Sequence, residues 1–248
     1  MEEARRLVDA AGFIIRARIV PAQPGDEHGL PAAAGEGFTV AIEAVLHSTP
    51  ELRGLAGKSA TVLGRHAGER REHAPHILFT QCISLGERLL LRELGQVEAT
   101  EEAMRAVEHA LREAAERPLR ARIEAAALIV VGEVVASRKL EPDLPPRSEH
   151  DPDWWIARVA VQSVLKGAKP KGEVEVLFAN STDIVWYRSP KLHRGTSGIF
   201  LLHHVKPDEA PRELPRGVYR ATDPLDFLPA GRLAEVQRLL GRGGEEER

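Results

Sequence analysis

Three observations predict an all-β protein with flanking helices, built as two tandem five-stranded barrels. Ala10–Val20 aligns without a gap on Ala125–Val135, at an offset of 115 residues. After each copy, short runs of Val, Ile and Leu alternate with polar residues, which is the period of half-buried strands. Helix-length patterns do not separate these runs, which argues against a parallel doubly wound sheet. We therefore place the first barrel in residues 1–117 and the second in residues 118–248.

Each element of the first module follows from its local pattern. Glu2–Ala11 predicts a short helix, and the β-branched run Phe13–Val20 predicts a strand. Thr100 is a favourable N-cap for a closing helix, which we expect to stop at Pro118 because proline cannot continue the hydrogen-bond ladder. The other strands predicted here are Phe38–Ile42, Ser59–Leu63 and the Gly-led run Gly86–Leu91.

The second module repeats this order. Arg120–Ala127 predicts a leading helix and Leu128–Val135 the first strand, and the apolar stripe at Leu233, Val236 and Leu240 predicts a closing helix. The strands predicted between them are Ile156–Gln162, Glu173–Phe178 and Gly195–Leu202, the last matched to Gly86–Leu91 of the first module. The preserved order is the basis for expecting two similar barrels.

Composition narrows the class of protein. Among 248 residues, 43% are hydrophobic and 29% charged, which is typical of a folded chain. A net charge of −3 argues against nucleic acid as a partner. The lone Cys82 suits a reducing compartment. Without an apolar leader or a membrane-length apolar run, we expect a soluble, cytoplasmic protein with no membrane partner, exported only if a leader has been removed.

Four segments of the second module resemble the OB barrels of the netrin-type and tissue-inhibitor-of-metalloproteinase-like families, particularly their bacterial, cysteine-poor relatives. They are Ala126–Val134, Ala157–Gly167, Gly172–Val176 and Gly198–Leu202. The resemblance implies OB-like barrels and a tendency to bind proteins. This chain lacks the N-terminal cysteine and the disulfides of the inhibitors, so their inhibitory mechanism is not implied.

Histidines offer a possible metal site. His66, His73 and His76 are close in sequence, and converging imidazoles can hold zinc. Pro75 and the many neighbouring charges favour a solvated hairpin loop instead. His203 and His204 are adjacent in a strand and should point to opposite faces. We therefore expect no metal and no cofactor, and keep a metal-dependent hydrolase only as an alternative.

The predicted binding site is aromatic and lies in the second module, because the first module has no Trp or Tyr. Exposed rings with basic neighbours can contact a protein or stack on single-stranded nucleic acid, whereas buried rings would close the barrel. The candidate residues are Trp154, Trp155, Trp186, Tyr187, Arg188, Lys191 and Arg194.

We find no nucleophile elbow or equivalent catalytic set, so we expect no enzymatic activity. The predicted function is a non-enzymatic protein- or peptide-binding or scaffold module. Its contact is predicted at the loop Asn180–Arg194 together with Trp154 and Trp155. A single-stranded nucleic-acid binder is the alternative that uses the same rings. The sequence does not identify the partner.

Overall fold

The computed structural model describes residues 2–21, 37–64, 74–85, 89–140, 150–206 and 214–242. The chain divides into two compact units, Met1–Glu116 and Arg117–Arg248, and we describe each by itself. The boundary between them falls inside a helix. No helix among the described residues is long and apolar enough to span a bilayer.

The first unit is a closed five-stranded barrel in the order β1-β2-β3-β5-β4. β3 and β5 run parallel, and the other neighbours are antiparallel. A 3₁₀ helix at Pro50–Leu55 joins β2 to β3. The elements are α1 (Glu2–Ala10), β1 (Phe13–Val20), β2 (Gly37–His47), β3 (Ser59–Leu63), β4 (Pro75–Leu85) and β5 (Leu89–Glu98).

The second unit closes in the same order, β6-β7-β8-β10-β9, with β11 added beside β9. β10 closes the ring because it pairs parallel with β8 and antiparallel with β9. The predicted fold class, two OB-like five-stranded barrels with flanking helices, is confirmed. The remaining elements are α2 (Glu101–Ala125), β6 (Leu128–Lys139), β7 (Trp154–Lys166), β8 (Glu173–Ala179), β9 (Ser197–His204), β10 (Tyr219–Arg220), β11 (Phe227–Leu228) and α3 (Leu233–Arg242), with 3₁₀ turns at Pro224–Asp226 and Ala230–Arg232.

The aligned segments of the two modules occupy equivalent first strands, β1 and β6. Their burial follows the same pattern over six positions, from Phe13 to Arg18 and from Leu128 to Glu133. Ala17 of the first barrel corresponds to Gly132 of the second, and both are buried. A Cβ added at Gly132 would lie 2.5 Å from the backbone oxygen of Ala160, so only glycine fits there without movement.

Aliphatic side chains fill both barrels, with one or two phenylalanines each. The inward positions of alternate strand residues supply them, as the period of two requires. Inside the first barrel lie Phe13, Ile15, Val40, Ile42, Val62, Leu78 and Leu91. Inside the second lie Leu128, Val130, Val134, Val159, Val176, Phe178, Phe200 and Leu202.

Helix α2 overturns the prediction that Pro118 ends a helix. Its first turn is capped as expected, because Thr100 Oγ1 accepts a hydrogen bond from the Ala103 amide at 3.1 Å. The helix then continues through Pro118 to Ala125. Its apolar residues before Pro118 pack on the first barrel and those after it pack on the second unit's core, so burial outweighs the cost of the proline.

The matching of Gly86–Leu91 with Gly195–Leu202 was wrong. The fourth strand of the first barrel is β4, Pro75–Leu85, which corresponds to β9 in the ring order. The Gly-led run instead enters β5, the fifth strand, and residues 86–88 lie outside the described residues. The error arose because both runs are apolar and follow a glycine, and local pattern does not distinguish a fourth strand from a fifth.

Candidate functional site

The loop between β8 and β9 carries a compact turn at residues 183–189, which we call the 183–189 turn. The Asp183 carboxylate accepts a hydrogen bond from the Val185 amide at 2.7 Å. The Asp183 carbonyl accepts the amides of Trp186 at 3.1 Å and Tyr187 at 2.8 Å. The Ser189 amide donates to the Trp186 carbonyl at 2.9 Å. These four hydrogen bonds close the turn on itself.

Lys191 fastens this turn to the end of β8. Its ammonium donates to the carbonyls of Ala179 at 2.8 Å, Ser181 at 2.7 Å and Trp186 at 2.9 Å. Burial lowers the pKa of Lys191, against the attraction of the Asp183 carboxylate. All three ammonium protons are engaged by backbone carbonyls. The structure therefore places Lys191 as a support for the turn rather than as a group offered to a ligand.

Trp186 and Trp154 pack on each other, with ring centroids 5.7 Å apart in an edge-on arrangement. The Trp186 indole N–H donates to the His150 carbonyl at 2.8 Å. Trp154 also packs against a small cluster on the outside of the barrel, around Ile156 and Leu177. Both rings are half-buried, so they fasten the 183–189 turn to β7.

Trp155 faces the opposite side of β7 and packs against the core inside the second barrel. Its ring lies 6.4 Å from that of Phe178 and 6.3 Å from that of His193, centroid to centroid. Its indole N–H donates to the Asp153 carboxylate at 3.1 Å. The ring of Trp155 is therefore part of the packing of the second barrel.

The exposed apolar surface is concentrated at the tip of the turn. The exposed fractions are 78% for Ile184, 56% for Val185 and 60% for Tyr187. Only one other large hydrophobic residue among the described residues is exposed, Ile83 in the first unit at 44%. We call Ile184, Val185 and Tyr187 the apolar tip. A cluster of apolar side chains on a fixed turn is typical of a contact surface.

Two arginines of the same loop are exposed. Arg188 follows the apolar tip directly, and Arg194 lies near the start of β9. Neither forms an ion pair with another described residue. The nearby Asp153 is different, because its carboxylate pairs with the Lys139 ammonium at 3.0 Å. The loop therefore carries two exposed arginines without an ion-pair partner among the described residues, one of them directly after the apolar tip.

None of the described histidine candidates belongs to a group of side chains that could hold a metal ion. His66 and His73 lie outside the described residues. His76 was expected in a solvated loop, but it belongs to β4, is buried and has Nδ1 2.9 Å from the Ala74 carbonyl oxygen. His203 is buried while the adjacent His204 is exposed and stacks on Tyr219. In the part of the chain that the structure describes, no three His, Cys, Asp or Glu side chains are grouped to hold a metal.

A buried polar network, centred on Asp226, was not predicted from the sequence. The Asp226 carboxylate is fully buried and accepts hydrogen bonds from Arg122, from His203 Nε2 at 3.0 Å and from the amides of Thr222 at 2.8 Å and Asp223 at 2.9 Å. Burial alone would raise the pKa of Asp226. Hydrogen bonds from His203, Arg122 and the Asp223 backbone outweigh burial and lower it.

Comparison with known proteins assigns neither a family nor a function to this chain. No protein-family model matches this chain, and no curated protein matches its sequence. The relation to netrin-type and tissue-inhibitor-like barrels therefore stays a prediction from the sequence, and the functional argument depends on the site itself.

Proposed function

We propose that the second unit is a non-enzymatic module that binds a protein or peptide through the apolar tip. The observation that carries this proposal is the exposure of Ile184, Val185 and Tyr187 on one hydrogen-bonded turn. Apolar side chains exposed together lose contact with water when a partner covers them, which favours association.

The hydrogen bonds that hold the turn support the same function. Binding costs free energy when loops and side chains must be ordered, and a surface already held in place avoids part of that cost. Here the Asp183 carboxylate accepts the Val185 amide within the turn, and the Lys191 ammonium donates to the Trp186 carbonyl. Tyr187 adds a ring with a polar end, and tyrosine is enriched among the residues that dominate protein interfaces.

The alternative of stacking on single-stranded nucleic acid has weaker support. Such binding uses several free rings and a row of cations along the backbone. Trp154, Trp155 and Trp186 already pack within the unit, and Tyr187 is the candidate ring that is largely exposed. The ammonium of Lys191 is engaged with three carbonyls.

The test compares two surface variants of the full chain as bait in the native cell extract. The first combines Ile184→Ser, Val185→Ser and Tyr187→Ser, and the matched control is Ile83→Ser, which changes the exposed hydrophobic residue of the first unit. We expect proteins retained by the wild type to remain with the control and to be lost with the triple variant. Their contact with the tip is then checked by a photo-crosslinking residue at position 187.

Thermal unfolding of both variants supplies the folding control, since exposed substitutions away from special features change stability by only about 0.5 kcal/mol. Retention of the same proteins by a folded triple variant would refute the tip as the contact. So would a complete absence of crosslinks from position 187.

A further inference from the structure

We infer that the partner segment is acidic as well as apolar, with its carboxylates paired to Arg188 and Arg194 while its apolar side chains cover the tip. This inference rests on the proposed function and specifies the chemistry of the partner. The juxtaposition that carries it is an apolar tip at Ile184, Val185 and Tyr187 with exposed arginines in the same loop.

The charges around the tip favour an anionic partner. Arg188 and Arg194 have no ion-pair partner among the described residues, so a carboxylate from another chain does not have to displace one. The nearby acids do not pair with either arginine: Asp183 of the loop accepts the Val185 amide, and Asp153, just before β7, pairs with Lys139. Arginine suits this role because its planar guanidinium can bind both oxygens of one carboxylate.

The net charges of the two units also favour the second unit as the one that binds an acidic partner. The first unit has 13 Lys and Arg and 18 Asp and Glu, which gives −5. The second unit has 21 Lys and Arg and 19 Asp and Glu, which gives +2. The net charge of the second unit therefore opposes an acidic segment less than that of the first, and complementary charge raises the rate and selectivity of association.

An anionic bilayer shares some of this chemistry, since apolar and aromatic side chains with basic neighbours also suit a membrane interface. Three aspartates of the same region, Asp151, Asp153 and Asp183, disfavour close approach to a uniformly anionic surface. A peptide, unlike a bilayer, can place its carboxylates beside the arginines and away from the aspartates. The arrangement therefore favours a protein segment over a lipid surface.

The experiment selects phage-displayed random 12-residue peptides on the full-length protein, with the triple-serine variant as counter-selection. We expect enriched peptides to carry at least two Asp or Glu beside apolar residues. Synthetic versions of these peptides are then titrated against wild type, against Arg188→Gln/Arg194→Gln, and against Arg138→Gln/Lys171→Gln. The last pair removes the same charge from exposed positions of the same unit outside the loop.

We expect affinity to fall about fivefold in Arg188→Gln/Arg194→Gln and to change less than twofold in the control pair, because exposed ion pairs contribute modestly. Added salt should weaken binding to the wild type more than to the loop variant, since salt screens exposed charges.

The possible failures are distinguishable. Tip-dependent peptides that lack acidic residues, or that bind equally well to Arg188→Gln/Arg194→Gln, would overturn this inference and leave the proposed function standing. A selection without any tip-dependent peptide would contradict both. Tip-dependent binding to phosphatidylserine vesicles without peptide binding would also contradict both and assign the surface to lipid.

Discussion

The two barrels close the same ring by different means. In the first, β5 is a ten-residue strand that pairs with β4 along most of its length. In the second, the corresponding β10 has two residues, which pair with two residues each of β8 and β9. Among the described residues, the short strand therefore supplies fewer backbone hydrogen bonds than the long one.

Asp226 takes over part of that role in the second unit. It accepts the amides of Thr222 and Asp223, just after β10, and also binds His203 on β9 and Arg122 on α2. One buried carboxylate thus joins three elements around the short strand. The comparison teaches that a barrel can replace strand pairing by a polar side-chain network, provided that every buried group is satisfied.

A second difference lies in the loop between the third and fourth strands. In the first unit, seven of the eleven residues 64–74 are Arg, Glu or His. In the second unit, the corresponding loop carries the apolar tip and is fastened by Lys191. At the same position in the ring, the first unit thus has a highly charged sequence and the second has a loop with exposed apolar side chains.

The largest expected effect comes from Asp226→Asn. Removing one partner from a buried ionic network leaves the others unpaired, so we expect the second unit to lose about 3 kcal/mol of stability. Tryptophan fluorescence during urea unfolding reports this unit specifically, because all three tryptophans lie in it. The control is Glu235→Gln, which breaks the partly exposed ion pair with Arg232. It should lower the free energy of unfolding by less than about 1 kcal/mol.

Acid should weaken the same network. Because the pKa of Asp226 is lower in the folded protein than in the unfolded chain, protons bind the unfolded chain more tightly. The stabilisation is present above the unfolded pKa of about 4 and is lost as pH falls through the folded pKa. We expect the stability difference between wild type and Asp226→Asn to shrink as urea unfolding is repeated from pH 7 toward pH 3. A constant difference would contradict the role of this carboxylate.

A smaller effect tests the equivalence of the two first strands. Gly132→Ala puts a methyl group 2.5 Å from the Ala160 oxygen, although the first barrel has alanine at the equivalent Ala17. We expect a loss of about 1–3 kcal/mol. Gly231→Ala in the same unit meets nothing within 4 Å and serves as the control in the same unfolding assay. Equal stability of the two variants would mean that the strands adjust freely at this position.

Local pattern was sufficient to predict most of the strands. Phe13–Val20 and Ser59–Leu63 match β1 and β3 in full, because alternation and β-branched residues act over a few neighbours. Ring order needs long-range pairing, which is why the fourth strand of the first barrel was misplaced. The continuation of α2 through Pro118 also depends on packing with distant residues.

The binding role of the candidate loop stays a prediction. The loop was identified by its aromatic residues, but Trp155 turns into the barrel and Lys191 turns into the loop. Ile184 and Val185 were not singled out, although they are more exposed than Trp186. Aromatic content pointed to this loop, whereas only the fold decides which apolar side chains face water. Asp226 gave no signal in the sequence, because its partners Arg122 and His203 are 104 and 23 residues away.

The unit boundary inside α2 has a consequence for fragmentation of the chain. Val107 and Ala110 pack in the first core, and Leu119 and Ile123 in the second, along one continuous helix. A protease acting near residue 117 must first unwind helical turns whose side chains are packed in the two cores. The junction is therefore unlike the exposed linkers at which domains are readily cleaved. Limited digestion should therefore spare this junction, and a cut there would interrupt the helix while leaving each core with its own helical side chains.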